Sequence, residues 1–386
     1  MSIPSKVFWS GLAFFLVLVC FGACLLVYIK PTQLWFYLKL NQDNSTSKQN
    51  VSFNQDEFQN NESNVTLVLL WLSPFGRRSS PLNCLDLNIS DCHITMNRSM
   101  YNQSHAVIFH HRDIWWNLRN LPQQPRPLFQ KWIWMNMESP SHSPPKLGLN
   151  RMFNLTLNYR RDADIHIPYG MLTFSPNASR AEVPPKDKLV CWVVSNRYPQ
   201  ERIRYYKELK KYIKIHTYGK MFGRRLSWEE YRPIMSSCKF YLAFENSIFK
   251  DYITEKIYTT FLAGTVPVVL GPPRENYEDY VLPESFIHVD DFESPKNLSE
   301  YLLMLDRNDT LYLSYFEWKK DFSVYRPNFW KSHLCSACDY VKKHPEYKSV
   351  GNLQKWFWNN SCDDFFPARY EKKNLPGLPT RNRAGI

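Results

Sequence analysis

The sequence predicts an α/β protein built on parallel sheets. Apolar runs of strand length recur along the chain and alternate with stretches of helical periodicity. Most of these runs are apolar on both faces, as parallel strands covered by helices are. The predicted strands are Thr66–Leu72, Ala106–His110, Lys131–Asn136, Leu189–Val194, Ile213–Thr217, Phe240–Phe244, Val266–Leu270 and Phe286–Val289. The predicted helices are Arg202–Ile213, Leu298–Leu305 and Tyr252–Ala263, the last with Asp251 as its N-cap and Gly264 at its end.

Length and composition limit the class of protein. The chain has 386 residues, which is room for about two domains. It is 44% hydrophobic and 22% charged, so it can bury a core and is not disordered as a whole. Only 12 residues are glycine, which excludes a collagen-like chain. The formal net charge of +12 favours an anionic partner, such as nucleic acid, a membrane surface or a phosphorylated small molecule.

The N-terminal region predicts a membrane anchor. Val7–Ile29 carries no charge and is long enough to cross a bilayer, whereas the apolar part of a cleaved signal peptide is shorter. All twelve Asn-x-Ser/Thr sequons follow this segment, which favours a luminal chain and argues against nucleic acid as a partner. The predicted order is a cytoplasmic tail (1–6), a transmembrane signal anchor (7–29), a glycosylated stem (30–65), an N-terminal domain (66–178), a C-terminal domain (179–360) and a weakly ordered basic tail (361–386).

The cysteines allow two interpretations. Cys84 and Cys92 together with the Cys335-x-x-Cys338 pair could form a four-thiolate zinc site or two disulfides. An oxidising lumen favours disulfides. Cys362 is left over.

Three polar clusters follow predicted strands, where ligands bind in open α/β sheets. Glu138 follows the third strand, Ser195-Asn196 and Arg202 follow the fourth, and Glu245-Asn246-Ser247 follow the sixth and lead to Lys256. A helix N-terminus, Lys256 and Arg202 could together hold a pyrophosphate without metal. The alternative is a solvated helix with a surface lysine. Glu138 could be a general base across a cleft, or a helix cap.

Two further patterns are ambiguous. Asp162-x-Asp164 resembles the metal-binding pair of other nucleotide-sugar transferases, but two cations near a pyrophosphate would make a metal redundant. Trp132, Trp134 and the Trp115-Trp116 pair suit a core, whereas a sugar site would use an exposed aromatic face.

The sequence resembles the α-1,3-fucosyltransferase family. FYLAFENSIFKDYITEKIYTTFLAGTVPVVLGP (Phe240–Pro272) is similar to the family's donor-site signature. HHRDI, KWIWMNMESP, DADIHIPYG and CWVVSN match the family upstream in the same order. The resemblance implies a GT-B fold, with an acceptor domain followed by a donor domain. It also implies inverting transfer of fucose from GDP-β-L-fucose to O3 of GlcNAc.

The resemblance assigns roles residue by residue. It implies that Glu138 is the catalytic base. The positions that match donor contacts are Tyr169, Val193, Ser195, Asn196, Arg202, Tyr241, Asn246, Tyr252, Glu255 and Lys256. The family's cysteine pattern implies Cys84–Cys335, Cys92–Cys338 and Cys191–Cys238 disulfides. The sequons expected to carry glycans are Asn64, Asn102 and Asn154.

The resemblance also bears on the acceptor. Arg77 stands where a relative carries an acceptor-facing Gln, and Arg112 stands where family members carry Arg or Trp. Arg at the second position goes with type 2 chains, Galβ1-4GlcNAc, so the expected product is of the Lewis X type. Pairing of Arg112 with Asp113 at the surface is the alternative.

The expected setting is the Golgi membrane, as a single-pass type II protein whose catalytic domain is luminal. No cofactor is expected to be required, although Mn²⁺ could stimulate the reaction. The expected partners are GDP-fucose and N-acetyllactosamine-terminated glycans, and a homodimer is allowed. The rival interpretations are a luminal glycan-binding protein on an inactive transferase scaffold and a fucosyltransferase with a different acceptor.

Overall fold

The computed structural model describes residues 65–76, 83–175 and 183–359. The predicted anchor, nearly all of the stem and the C-terminal tail lie outside these residues, as does most of the predicted domain break near 176–188. Among the described residues no helix is both long and apolar enough to cross a membrane.

The first sheet has six parallel strands in the order β2-β1-β3-β4-β5-β6. Its central strands are buried on both faces because they are uninterrupted apolar runs, and Trp132 and Trp134 belong to its core. The strands are β1 (Thr66–Leu72), β2 (Cys92–Thr95), β3 (Ala106–His110), β4 (Lys131–Asn136), β5 (Leu155–Asn158) and β6 (Ile165–His166). The predicted bounds of β1, β3 and β4 are confirmed, whereas the short strands β2, β5 and β6 were not predicted.

The second sheet has five parallel strands in the order β12-β11-β10-β8-β9. All five strands predicted in this part of the chain are found in the sheet, with ends shifted by up to two residues. A separate antiparallel pair, β7 and β13, lies beside it. The strands are β7 (Met171–Phe174), β8 (Lys188–Val193), β9 (Ile215–Tyr218), β10 (Cys238–Phe244), β11 (Val266–Leu270), β12 (Ile287–His288) and β13 (Phe322–Tyr325).

Helices cover both sheets. The described α-helices are α1 (Gln200–Leu209), α2 (Trp228–Ser236), α3 (Glu255–Leu262), α4 (Arg274–Glu278), α5 (Pro295–Asp306), α6 (Asp309–Ser314) and α7 (Lys331–Lys343). The predicted start of α3 is wrong, because Thr254 and not Asp251 precedes its first turn. Asp251 has a positive φ of 60° and is buried, and its carboxylate accepts hydrogen bonds from Arg161 and Asn276.

The end of the described chain returns to the first sheet. Residues of α7, together with Leu353 and Phe357, belong to the same core as β1, β3 and β4. Two of the disulfides expected from the resemblance, Cys84–Cys335 and Cys92–Cys338, fasten α7 there. The third disulfide, Cys191–Cys238, joins β8 to β10. These three pairings are confirmed, and they exclude the zinc site because its four thiols are used.

The two disulfides on α7 close almost the same loop, so we expect their contributions to stability to be non-additive. Replacing Cys92 and Cys338 with alanine leaves the Cys84–Cys335 disulfide to constrain the unfolded chain. Only a loop of roughly a dozen residues is then released, which should lower the free energy of unfolding by about 3 kcal/mol. Opening both pairs releases the long loop and should lower the free energy of unfolding by more than twice that amount. Urea unfolding of the luminal domain, followed by tryptophan fluorescence, measures these losses.

The separate Cys191–Cys238 disulfide supplies the control, because its loss should add to that of either α7 disulfide without coupling. Equal increments on opening the first and the second α7 disulfide would contradict the shared-loop account.

Candidate active site

The carboxyl ends of the two sheets meet at a polar contact. Ser247, just after β10, lies 2.9 Å from Ser139 Oγ, 2.8 Å from Ser141 Oγ and 3.0 Å from His142 Nδ1, all just after β4. Parallel strands place the loops that follow them at one edge, so this contact joins the two edges where ligands bind. The predicted polar clusters after β4 and β10 are therefore neighbours.

Glu138 lies at this junction with its backbone held by one side chain. The Asn136 amide accepts a hydrogen bond from Glu138 N (3.2 Å) and donates one to Glu138 O (3.3 Å). The carboxylate is half-buried and has no hydrogen bond or ion pair with any described residue. It is therefore free to accept a proton from a bound molecule.

Lys256 is held by a buried carboxylate. Its Nζ lies 2.8 Å from Glu245 Oε2 and 2.6 Å from Thr254 Oγ1. Glu245 is 2% exposed and also accepts hydrogen bonds from Thr254 N and Oγ1, at the start of α3. Burial alone would lower the pKa of Lys256, but the charges of Glu245 and Glu255 raise it above its usual value. Lys256 is thus kept cationic beside a helix N-terminus.

Arg202 supplies a second cation from α1. It is 4% exposed, and it donates to Asn196 O (2.7 Å) and Phe244 O (3.4 Å). Its Nε has no hydrogen-bond partner among the described residues. Burial lowers the pKa of His142. The negative charge of Glu138 acts to raise this pKa, and the positive charges of Arg202 and Lys256 lower it further, so all three charges act on His142. The predicted base and both predicted cations therefore share one site.

Two tyrosines, the half-buried Tyr169 and the buried Tyr252, lie next to this site. Tyr169 donates its hydroxyl hydrogen bond to Met137 O, next to Glu138, and packs edge-on against Tyr252 at 6.3 Å between ring centres. Burial raises the pKa of both phenols well above the usual value, so they remain neutral donors. Gly170, next to Tyr169, allows close approach of the backbone to the Tyr258 ring, because a Cβ there would lie 2.7 Å from that ring.

The remaining positions implied for the donor surround the two cations. Tyr241 is buried, and its hydroxyl lies 3.4 Å from the carbonyl of Val193 at the end of β8. Ser195, Asn196 and Asn246 lie in the loops that follow β8 and β10, and Glu255 begins α3 with an exposed side chain. The fold brings all these residues to the carboxyl edge of the second sheet.

Arg112 lies at the end of the neighbouring strand β3. Its side chain is exposed, and its guanidinium lies 4.6 Å from the centre of the Phe75 ring. Asp113 instead accepts hydrogen bonds from His110 Nδ1 (2.6 Å) and Phe75 N (3.0 Å). This arrangement does not favour the alternative in which Arg112 simply pairs with Asp113. Arg77 lies outside the described residues.

The chain matches two family models that cover most of the described residues. Residues 183–356 match "Glycosyltransferase family 10 (fucosyltransferase) C-term", and residues 63–170 match "Fucosyltransferase, N-terminal". The 4-galactosyl-N-acetylglucosaminide 3-alpha-L-fucosyltransferase 9 of Homo sapiens is 58% identical over 89% of this chain and 96% of its own length. The chain belongs to glycosyltransferase family 10, the fucosyltransferases.

Two further enzymes agree with this assignment. The enzyme of the same name from Mus musculus is also 58% identical over 89% of this chain and 96% of its own. The 4-galactosyl-N-acetylglucosaminide 3-alpha-L-fucosyltransferase FUT6 of Pongo pygmaeus is 39% identical over 92% of this chain and 98% of its own. A crystal structure of an alpha1,3-fucosyltransferase with GDP-fucose covers 72% of this chain and 90% of its own, at 15% identity and a TM-score of 0.47.

In this fucosyltransferase both residues of the Asp162-x-Asp164 pair are occupied by structural partners. Asp162 accepts two hydrogen bonds from Arg160, at 2.8 and 2.6 Å, and Asp164 accepts two from Thr156 and pairs with Lys348. The described residues contain no group of three His, Cys, Asp or Glu side chains arranged to hold a metal ion.

The predicted glycan positions differ in exposure. Asn102 is exposed, whereas Asn154 is 1% exposed and its Nδ2 donates to Lys348 O at 2.8 Å. A glycan on Asn154 would have to displace that contact. Asn64 lies outside the described residues, and use of the three sequons stays a prediction.

Sequence reasoning missed two parts of the site. Glu245 was noted after its strand but not assigned a role, because its contact with Lys256 depends on the turn before α3. The aromatic segment that includes Phe329 and Trp330 was not considered at all. Phe329 lies 5.5 Å from the Tyr169 ring, and Trp330 lies 5.5 Å from the His110 ring, so this segment spans the ends of both predicted subsites. The adjacent aromatic residues Phe329 and Trp330, in a stretch with few predicted strands, were the sequence signal that could have indicated this part of the site.

His333 lies beneath this aromatic segment and makes stability depend on pH. It is fully buried, neither ring nitrogen has a partner among the described residues, and burial lowers its pKa to about 3. Below the usual pKa of 6.5 the unfolded chain therefore binds a proton at this residue that the folded chain does not bind. The free energy of unfolding consequently decreases as the pH is lowered. Between pH 7 and pH 5 this residue should lower the free energy of unfolding by about 2 kcal/mol.

His333→Leu should remove that part of the pH dependence and should raise stability at pH 5, because it also deletes an unpaired buried polar group. Urea unfolding at several pH values measures it. His93→Leu, at an exposed histidine, is the control and should keep the wild-type slope. Parallel pH curves for the wild type and His333→Leu would contradict the assignment.

Proposed function

We propose that this protein transfers L-fucose, with inversion, from GDP-β-L-fucose to O3 of GlcNAc in Galβ1-4GlcNAc termini of glycoprotein and glycolipid glycans. The product would be of the Lewis X type. The observation that carries the proposal is the unpaired, half-buried Glu138 carboxylate beside two fixed cations, Arg202 and Lys256. The printed names of the relatives, which describe 3-fucosylation of a 4-galactosyl-GlcNAc, support the choice of acceptor.

The reaction is a single displacement in this proposal. Glu138 removes the proton of the GlcNAc 3-hydroxyl while O3 attacks the anomeric carbon of fucose from the face opposite GDP. The bond between fucose and the diphosphate breaks, and negative charge develops on the departing oxygen. Lys256, Arg202 and the N-terminus of α3 stabilise that charge.

Preorganisation is the main catalytic contribution of the donor side. Glu245 and Thr254 hold Lys256, and the carbonyls of Asn196 and Phe244 hold Arg202, before any ligand arrives. Cations fixed in this way need little reorganisation when charge moves onto the diphosphate. The rest of GDP-fucose is proposed to contact Tyr169, Val193, Ser195, Asn196, Tyr241, Asn246, Tyr252 and Glu255.

The two sheets fit a GT-B arrangement in which the acceptor approaches the first sheet and GDP-fucose the second. We propose that residues 7–29 anchor the chain in the Golgi membrane with its catalytic part in the lumen, and that residues 30–65 form the stem. Homodimers are compatible with this topology. The proposed domains stay at 66–178 and 179–360, and α7 of the second segment packs on the first sheet.

Glu138→Gln should lower turnover about 100-fold or more and leave GDP affinity unchanged, because it removes the base and not the cation pair. Initial rates with GDP-fucose and N-acetyllactosamine, together with calorimetric titration of GDP, separate the two effects. Near-normal turnover would make Glu138 a structural residue and would overturn the mechanism.

The reaction is proposed to need no resident metal, because Lys256 and Arg202 supply the charge and Asp162 and Asp164 are taken up by Arg160, Thr156 and Lys348. EDTA should therefore leave the initial rate within about twofold of the untreated rate. Added Mn²⁺ could stimulate it. Complete loss of activity with EDTA and recovery with Mn²⁺ would restore the aspartates as a metal pair.

Arg112 is proposed to select type 2 chains. Type 1 and type 2 acceptors present opposite edges of GlcNAc to the base, and a guanidinium has directional donors that fit one arrangement of hydroxyls, whereas an indole offers a stacking face. Arg112→Trp should therefore raise the rate on Galβ1-3GlcNAc relative to Galβ1-4GlcNAc. Initial rates of the soluble luminal domain on the two disaccharides measure the ratio. An unchanged ratio would reject Arg112 as the discriminator.

A further inference from the structure

A cavity opens beside the proposed acceptor position. Its volume is about 610 Å³, and it lies at the carboxyl ends of β1 and β3. Its apolar surface comes from Leu70, Leu72 and Met96, and its polar and aromatic surface comes from Trp71, Arg98, Asp113, Trp115, Arg119 and Asn120. None of these residues has a role in the mechanism above.

The cavity borders the Arg112 side of the site. Asp113, which lines the cavity, directly follows Arg112 and holds Phe75 through a hydrogen bond to its backbone N–H. The Phe75 ring in turn lies under the Arg112 guanidinium. Phe75 therefore contacts both Arg112 and Asp113, so the proposed acceptor position and the cavity are neighbours on this side of the site.

The cavity wall is formed before a ligand binds. Asn120 accepts a hydrogen bond from Trp115 N (2.9 Å), donates one to Asp113 O (2.8 Å), and accepts one at its carbonyl from Trp71 Nε1 (2.7 Å). Trp115 is nonetheless 60% exposed. A rigid loop that leaves a large aromatic face in solvent is suited to binding, because little order is lost on contact.

The chemistry of the wall suits an uncharged sugar. An aromatic face beside a few directional polar groups is the usual composition of a small-ligand site, and a sugar has both apolar faces and hydroxyls. Burial alone would raise the pKa of Asp113, but the hydrogen bond from His110 holds it below its usual value, so the carboxylate is ionised. Arg98 already covers the Trp71 ring and donates to Trp71 O. An anionic sugar placed against Asp113 would therefore meet a negative charge, whereas the hydroxyls of a neutral sugar can donate hydrogen bonds to it.

We infer that this cavity binds the part of the acceptor glycan that lies beyond the reducing end of the target GlcNAc. The inference rests on the proposed function. A GlcNAc in a glycan terminus is joined through C1 to the rest of the glycan, so every natural acceptor continues past the reacting ring. The cavity lies next to the proposed position of that ring and has the volume and chemistry to receive the next sugar. In this inference the sugar stacks on Trp115 and forms hydrogen bonds with Arg119 and Asp113.

Two acceptors with a single GlcNAc test the inference in the soluble luminal domain. They are Galβ1-4GlcNAc and the tetrasaccharide Galβ1-4GlcNAcβ1-3Galβ1-4Glc, which adds two sugars on the reducing side only. Trp115→Ala should lower kcat/KM for the tetrasaccharide about fivefold to tenfold, mostly through KM, and should leave the disaccharide unchanged. Trp116→Ala is the matched control, because Trp116 is 65% exposed next to Trp115 but does not line the cavity.

The outcomes separate the two proposals. Absence of transfer to either acceptor in the wild type would reject the proposed function itself. Transfer with equal effects of Trp115→Ala on both acceptors, or with equal effects of the two tryptophan variants, would overturn the subsite. A tetrasaccharide that carries a carboxylate on its reducing-side galactose and depends on Trp115 more strongly than the neutral one would overturn the choice of an uncharged sugar.

Discussion

A buried carboxylate, Glu245, holds the cation on which the candidate active site depends. It is 2% exposed and accepts hydrogen bonds from Lys256 and from both donors of Thr254. A carboxylate is buried at this depth only when it is paired and hydrogen-bonded, so the strand end, the turn and the first turn of α3 must form together. The same pairing fixes Lys256 at the edge of the second sheet, where its charge and that of Glu138 both act on His142. Loss of the pair would therefore disturb both the local fold and the anion site.

The parts of the fold that were predictable are those in which local pattern and burial agree. The runs Thr66–Leu72 and Val266–Leu270 are apolar throughout and are found as strands with those bounds. The strand Cys92–Thr95 is short and half polar, so it takes its conformation from pairing with β1 and not from its own pattern. The N-cap of α3 was misplaced for a similar reason, because the tertiary contacts of Asp251 with Arg161 and Asn276 outweigh its local capping preference.

The candidate site was predictable where its residues follow strands. Glu138, Arg202 and Lys256 were found in this way, because the carboxyl edge of a parallel sheet is the place where ligands bind. Phe329 and Trp330 reach the same site from a segment nearly 200 residues beyond Glu138, brought there because the chain returns to the first sheet. No spacing in the sequence indicates that return. The disulfide pairing does indicate it, but that pairing came from the resemblance and not from the cysteine positions alone.

Several residues near the candidate site carry a local energetic cost. Trp330 adopts φ 73° and ψ −50°, which a side chain of this size seldom does, and Asp251 has a φ of 60°. The fully buried His333 and the Nε of Arg202 have no hydrogen-bond partners among the described residues. Strained backbone and unpaired buried groups each cost about 1–3 kcal/mol and persist only where the surrounding structure enforces them. Here the disulfides on α7 and the paired Glu245 hold the surrounding structure in place. The stability of the scaffold therefore allows the site to retain a strained backbone and unpaired buried groups that a ligand can contact.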